Sequence, residues 1–169
     1  MPTIYPLARI IGRDHIGFGD PVIIDDFVFI YAKVPMQIGN YVHFAAFTSV
    51  IGVKEIKIGN FVALSHGVRL LTASDDFKDW GFGNSTVPFE YRNVRSGSIQ
   101  INNFCIIGAN SVVLPGVTIG EGATVGACSV VTRDLEPWGV YIGNRKVSER
   151  NRIGVFANYA KFQQSFGCR

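Results

Sequence analysis

Charge is scarce in this sequence. Only 17% of its 169 residues are Asp, Glu, Lys or Arg, against about 25% in ordinary globular chains. Sixteen basic residues face 13 acidic ones, a net charge of +3. With no long block of one sign, nucleic acid is not an expected partner. Cysteine is scarce too: three residues and no C-x-x-C pair. That argues against a disulfide framework or a structural zinc site and fits a reducing compartment, the cytoplasm. The start, Met1-Pro2-Thr3-Ile4, lacks a basic stretch followed by an apolar run, so no signal peptide is expected. The uncharged stretch from Ser96 to Gly120 is long enough to span a bilayer. It also holds Gln100, Asn102, Asn103, Asn110 and Pro115, so it reads as soluble core and no membrane span is expected.

What the chain has in quantity is hydrophobic residues, at 47%, and 19 glycines. Its length suits one domain. The apolar residues are periodic. Ile101, Ile107, Val113, Ile119, Val125 and Val131 fall at every sixth place, and the same frame runs back through Phe18, Ile24 and Ile30, then Ile38, Phe44 and Val50, then Ile58, Leu64 and Leu70. Four places after each lies a small or aliphatic residue, with Lys54 the one misfit. A period of six is neither helical nor a simple alternation. A short strand, a tight turn and another strand satisfy it. Three such units, about eighteen residues, close a triangular coil whose aliphatics stack inside at about 4.8 Å per coil.

The run from Ile101 to Leu135 resembles the hexapeptide-repeat acyltransferases, and the likeness extends over residues 10 to 146. It implies an all-β solenoid, the left-handed parallel β-helix. The expected division is a solenoid domain over 1–146 and a helical extension over 147–169. Two two-residue surpluses, between Ile30 and Ile38 and between Val50 and Ile58, and a long insertion over 74–98 all follow the third unit of a coil. They should therefore emerge at one edge of the prism. In the extension, Ile153, Phe156, Tyr159 and Ala160 recur at helical spacing, with Phe162 and Phe166 four apart.

The resemblance also implies a homotrimer with active sites between subunits, and transfer of an acetyl group from acetyl-CoA without a required metal. Direct attack on a thioester needs a base, an oxyanion donor and a groove for the donor. His43 should point outward from the strand Val42-His43-Phe44 onto a face of small, uncharged residues, which makes it a candidate base. His66, in a turn, is the alternative. The sugar O-acetyltransferases of the galactoside and maltose type carry a loop histidine, whereas Ser74-Asp75-Asp76 stands in the matching place here. Asp75 and Asp76 are candidate catalytic carboxylates, and Ser74, Trp80, Glu90, Tyr91 and Arg92 candidate sugar contacts. By resemblance, Gly108, Ala109, Gly126 and Ala127 would line pantetheine, and Thr132, Arg133, Arg145 and Lys146 would meet the nucleotide phosphates.

A γ-type carbonic anhydrase shares this fold, but it needs three zinc-binding histidines with two close together, and His15, His43 and His66 lie too far apart. A non-catalytic solenoid is a second rival. The missing loop histidine favours the bacterial N-acetyltransferases acting on nucleotide-linked deoxy-amino sugars for surface polysaccharides, because an amine needs less base assistance than a hydroxyl. O-acetylation of a sugar stays as the alternative.

Overall fold

The computed structural model describes residues 1–167; the last two positions of the expected 147–169 extension lie outside them. The chain winds into a parallel solenoid of about seven turns. Its first face stacks Thr3–Ile4, Val22–Ile24, Val42–Phe44, Ala63–Leu64, Ile106–Ile107, Thr124–Val125 and Gly139–Ile142. The second face stacks Arg9–Ile11, Phe29–Ala32, Ser49–Gly52, Arg69–Leu71, Val112–Val113 and Val130–Val131. The third stacks Ile16–Phe18, Met36–Ile38, Ile56–Ile58, Ile99–Ile101 and Thr118–Ile119.

The six-residue frame is the register of the sheets. Ile38 pairs with Ile58, Phe44 with Leu64 and Val50 with Leu70. From Phe44 to Val131 these side chains are buried in one continuous column. Each such aliphatic removed from water contributes about 1.5–3 kcal/mol. Lys54 is no misfit. The surplus residues shift the inward position to Met36 and Ile56, both buried, and leave Val34 half-buried at the bend.

The edges explain the recurring Ile-Gly-Asn. Where the third face turns into the first, the side-chain oxygens of Asn40, Asn60 and Asn103 accept the backbone N–H of Asp20, Asn40 and Asn60 one coil below, at 2.7–2.8 Å. A Cβ at Gly39 would stand 2.6 Å from Asn60 Oδ1, so the ladder requires glycine there. The next residue along takes a left-handed backbone conformation (φ 57–62°) and is aromatic: Tyr41, Phe61, Phe104 and Trp138. Tyr41, Phe61 and Phe104 stack along this edge, with Trp138 tilted at its upper end.

The helix α1 (Arg152–Phe166) covers that aromatic ladder. Asn151 caps it through Gly154 N–H at 2.9 Å. Phe156, Tyr159 and Phe162 meet the ladder rings nearly edge-on, at centroid distances of 5.2–5.9 Å. Ile153, which the spacing assigned to the apolar face, is instead exposed. The extension also begins later than expected: Arg145–Glu149 is a strand, antiparallel to Gly139–Ile142. It offers the sequence no hydrophobic alternation: all five residues are exposed, and four cations and a glutamate fall within eight residues.

The insertion and both surpluses leave from the edge between the second and third faces, as the frame required. A short antiparallel pair, Ala73–Ser74 with Arg95–Ser96, closes the neck of the long loop.

Candidate active site

His43 stands outward on the first face, with Ile23 and Ala63 as its register partners. Its Nε2 lies 3.1 Å from Asp25 Oδ2, one coil below. A carboxylate only accepts, so Nε2 carries the hydrogen and Nδ1 is left to receive a proton. The imidazole is 47% exposed and the carboxylate 28%. Sequence reasoning missed Asp25. The signal was there, because the coil frame puts Asp25 beside Ala45, two residues beyond His43.

Gly108, Ala109, Gly126 and Ala127 all sit where the first face turns into the second. Their smallness follows from close stacking: a Cβ at Gly108 would lie 2.5 Å from Ala127 N. His66 occupies the same edge one coil below, exposed, with its carbonyl accepting from Asn110 N–H. Thr132 and Arg133 fall on the opposite side of the second face. The predicted donor-binding residues thus flank that face rather than share one edge. A cleft of about 740 Å³ lies at the C-terminal end, lined by Arg133, Asn144 and Arg145 among others. Asn144 braces it through Thr132 N–H at 2.9 Å. Lys146 lines it too, but is paired with Glu149 at 2.6 Å, which raises its pKa.

The long loop is held by its own carboxylates. Asp76 accepts from the backbone N–H groups of Asp79 and Lys78 at 2.8 and 2.9 Å, from that of Gly81 at 2.9 Å, and from Asn93 Nδ2 at 3.0 Å. These bonds hold its carboxyl far below the usual carboxylate range. In this state Asp76 is a brace with no tendency to take a proton. Asp75 pairs with Arg92 at 2.9 Å, and the buried Arg92 Nε has no partner among the described residues. Asp79 pairs with Arg95 at 2.6 Å and raises its pKa. Asn93 and Arg95 were not singled out from the sequence. A cleft of about 350 Å³ separates the loop from the solenoid, with Ser74, Asp75 and Phe77 on one wall and Leu114, Pro115 and Thr132 on the other.

The loop aromatics do not anchor it to its own chain. Phe77 is 92% exposed, and Trp80, Phe82, Phe89 and Tyr91 are exposed as well. Glu90 lies with Tyr91 in a short 3-10 turn and is exposed. Of the cysteines among the described residues, burial pushes the Cys105 thiol up to about 12, and Cys128 is exposed in the turn just after Ala127. No group of three or more His, Cys, Asp or Glu side chains suited to a metal ion lies among the described residues. No helix among them is long and apolar enough to cross a membrane.

Residues 98–133 match the family model described as bacterial transferase hexapeptide (six repeats). The dTDP-4-amino-4,6-dideoxy-D-glucose acyltransferase of Escherichia coli is 36% identical over 148 residues, which is 86% of this chain and 77% of that protein. AntD, an N-acyltransferase from Bacillus cereus solved with dTDP and 3-hydroxybutyryl-CoA, superposes with a TM-score of 0.93 at 34% identity, covering 99% of this chain and 89% of that one. A variant of AntD solved with dTDP-4-amino-4,6-dideoxyglucose and coenzyme A gives 0.91 at 32% identity, over 98% and 91%. By this likeness in sequence and in fold, along nearly its whole length, the chain belongs to the hexapeptide-repeat acyltransferases.

Proposed function

We propose that this enzyme transfers an acyl group, in the simplest case acetyl, from an acyl-CoA to the amino group of a dTDP-linked 4-amino-4,6-dideoxy sugar. One observation carries this reading: the near full-length match to AntD, with its nucleotide and acyl-CoA ligands, together with a loop that offers no histidine in place of the one that sugar O-acetyltransferases use. The product is a nucleotide-linked amide, a ready glycosyl donor for surface polysaccharide, made in the cytoplasm where both substrates occur.

The chemistry follows from the residues. The sugar nitrogen attacks the thioester carbonyl, the N–C bond forms, and the C–S bond breaks to release the thiolate. The proton leaving nitrogen passes to His43 Nδ1 and then to the thiolate, giving free CoA. Asp25 keeps the imidazole in the tautomer that can accept it. A backbone N–H on the small-residue edge, where those of Gly108 and Gly126 are taken by carbonyls and those of Ala109 and Ala127 are not, steadies the oxyanion, and Arg133 and Arg145 meet the donor's phosphates. Ser74 and the Asp75–Arg92 pair hold the sugar, with Asp76 keeping their loop in shape.

The first face and the loop lie on different sides of one prism. A homotrimer reconciles them, with the loop of one subunit reaching the first face of the next. Its exposed aromatics, Trp80 and Tyr91 among them, then gain a surface to bury. Release of free thiol from acetyl-CoA and longer acyl-CoAs tests the reaction. Turnover is expected with dTDP-4-amino-4,6-dideoxyglucose and not with maltose or a galactoside. Equal or better turnover of a free sugar hydroxyl would replace this reading with O-acetylation.

A further inference from the structure

Hydroxyls interrupt the aliphatic interior at one edge of the solenoid. Where the first face turns into the second, Val28, Thr48, Val68, Ser111 and Ser129 stack one above another, each carbonyl accepting an N–H from the coil below. All five are buried. Val28 and Val68 show that a plain aliphatic fills this inward place, so closing a coil there requires no hydroxyl. A buried hydroxyl must find a partner. Those of Ser111 and Ser129 both donate to one acceptor, the Gly126 carbonyl, at 3.0 and 2.7 Å.

The turn they serve is irregular. In the three coils below, the turn at this edge closes by a backbone bond, from Thr48 N–H to Ala45, from Val68 to Ser65 and from Ser111 to Gly108, each 3.2 Å. Ser129 N–H makes no such bond to Gly126. It goes to Ser111 Oγ at 3.2 Å, and the two hydroxyls take its place on the Gly126 oxygen. That oxygen shares a trans peptide with Ala127 N–H, so drawing it inward aims the N–H outward. Two donors on the carbonyl also polarise the amide and strengthen its N–H. Ala127 is exposed, and its N–H has no acceptor among the described residues.

Ser129 Oγ has a further bond, from Gly143 N–H at 2.9 Å. Gly143 begins the turn that carries Asn144 and Arg145, and Asn144 fastens that turn to Thr132. One hydroxyl therefore ties the outward N–H of Ala127 to the turn that bears Arg145. We infer that Ser111 and Ser129 are positioning residues for the acyl donor: they hold Ala127 N–H against an amide carbonyl of the donor's arm, in register with Arg145 at its phosphates. Neither serine touches substrate. This rests on the acyl-CoA reading above and adds two buried residues that act through the backbone. Height identifies the contact. Gly126 lies one coil below Tyr141, just before the Arg145 turn, and Thr124 lies three coils above His43, or about 14 Å. That suits the arm amide nearer the phosphates and leaves the oxyanion to Ala109, one coil closer to His43.

Steady-state kinetics with both substrates varied tests this, alongside calorimetric binding of coenzyme A. Ser129→Val removes the hydroxyl and Ser129→Thr keeps it in the same shape; Val68 and Thr48 show that both side chains fit this place. Ser129→Val should raise the acyl-CoA KM and weaken coenzyme A binding about fivefold, the usual worth of one neutral hydrogen bond. The kcat and the KM for the sugar should stay within about twofold, and Ser129→Thr should retain wild-type values. Ser111→Val should act in the same direction. The acetyl thioester of N-acetylcysteamine ends before the arm amide in question and has no phosphates. Wild type and Ser129→Val should therefore turn it over equally. Ser129→Ala, which opens space instead of filling it, should repeat the pattern and replaces the valine variant if that one does not fold.

Three results would overturn the inference. One is an acyl-CoA KM and a coenzyme A affinity within about twofold of wild type once the hydroxyl is gone. Another is an equal loss with the truncated thioester, which would mean that the serines only hold the coil together. The third is a loss confined to kcat, which would put Ala127 N–H at the oxyanion. If the wild type acylates no amino sugar, the functional reading fails, but coenzyme A binding to wild type and Ser129→Val still decides the role of the serines.

Discussion

A histidine on the outside of a β-solenoid is given meaning by its neighbour. Asp25 fixes which nitrogen of His43 holds hydrogen, and the uncharged residues around it leave the ring open to a substrate. Replacing His43 with Ala should lower kcat by about 10²–10⁴, the usual cost of losing a general base. Asp25→Asn should cost less in kcat, since an amide oxygen can still accept from Nε2–H and hold the ring. A rate within a few-fold of wild type for His43→Ala would remove the histidine from the chemistry.

Asp76 behaves in the opposite way. Its folded pKa is depressed, so the support it gives the loop is fully present above the unfolded value of about 3.9. That support is lost only as pH falls through the lower folded value. Hydrogen-exchange protection of the Lys78, Asp79 and Gly81 amides should hold steady from neutral pH to about 4 and decline progressively as pH falls further toward the depressed folded value. Protection lost already near neutrality would contradict this role. His43 was legible in the sequence because strand alternation sends it outward. The brace at Asp76 was not, because the donors it accepts from are mostly backbone N–H groups whose positions only a folded loop defines.

Among the elements, α1 shows how far spacing alone carries. Its helical character was legible from Phe156, Tyr159 and Phe162. Its docking site was not, since nothing in a linear sequence marks Tyr41, Phe61 and Phe104 as a stack. The hexad frame brings them into line only once the coils close. Phe162 meets both Tyr41 and Phe61 edge-on. Its replacement by Ala should cost about 1–2 kcal/mol, between the worth of an aromatic pair and full core burial. Chemical denaturation should show this as a lower midpoint with turnover preserved below it. An unchanged midpoint would mean that the helix rests on the ladder without holding it. The strand Arg145–Glu149 was missed for a related reason. Its burial is slight, with all five residues exposed, so it carries no hydrophobic alternation. Backbone pairing with Gly139–Ile142 alone defines it.

Across the whole molecule, the architecture was the most legible part. Stacking every third hexad over its predecessor is the only way to bury so regular a column, and the pairings from Phe18–Ile38 to Val113–Val131 follow that rule without a slip. His43 and the loop belong to different sides of the prism, which is why the proposed mechanism joins them across a homotrimer. In a homotrimer with shared sites, each site takes His43 from one subunit and the loop from the next. Two defective variants, His43→Ala and Asp75→Ala, can then repair one another. Co-expressed in equal amounts, they should form mixed trimers in which about one quarter of the sites combine an intact histidine with an intact loop. Thiol release with dTDP-4-amino-4,6-dideoxyglucose should therefore recover to about a quarter of the wild-type rate, while each variant alone stays near background. A mixture no more active than its parts would show that each chain works alone.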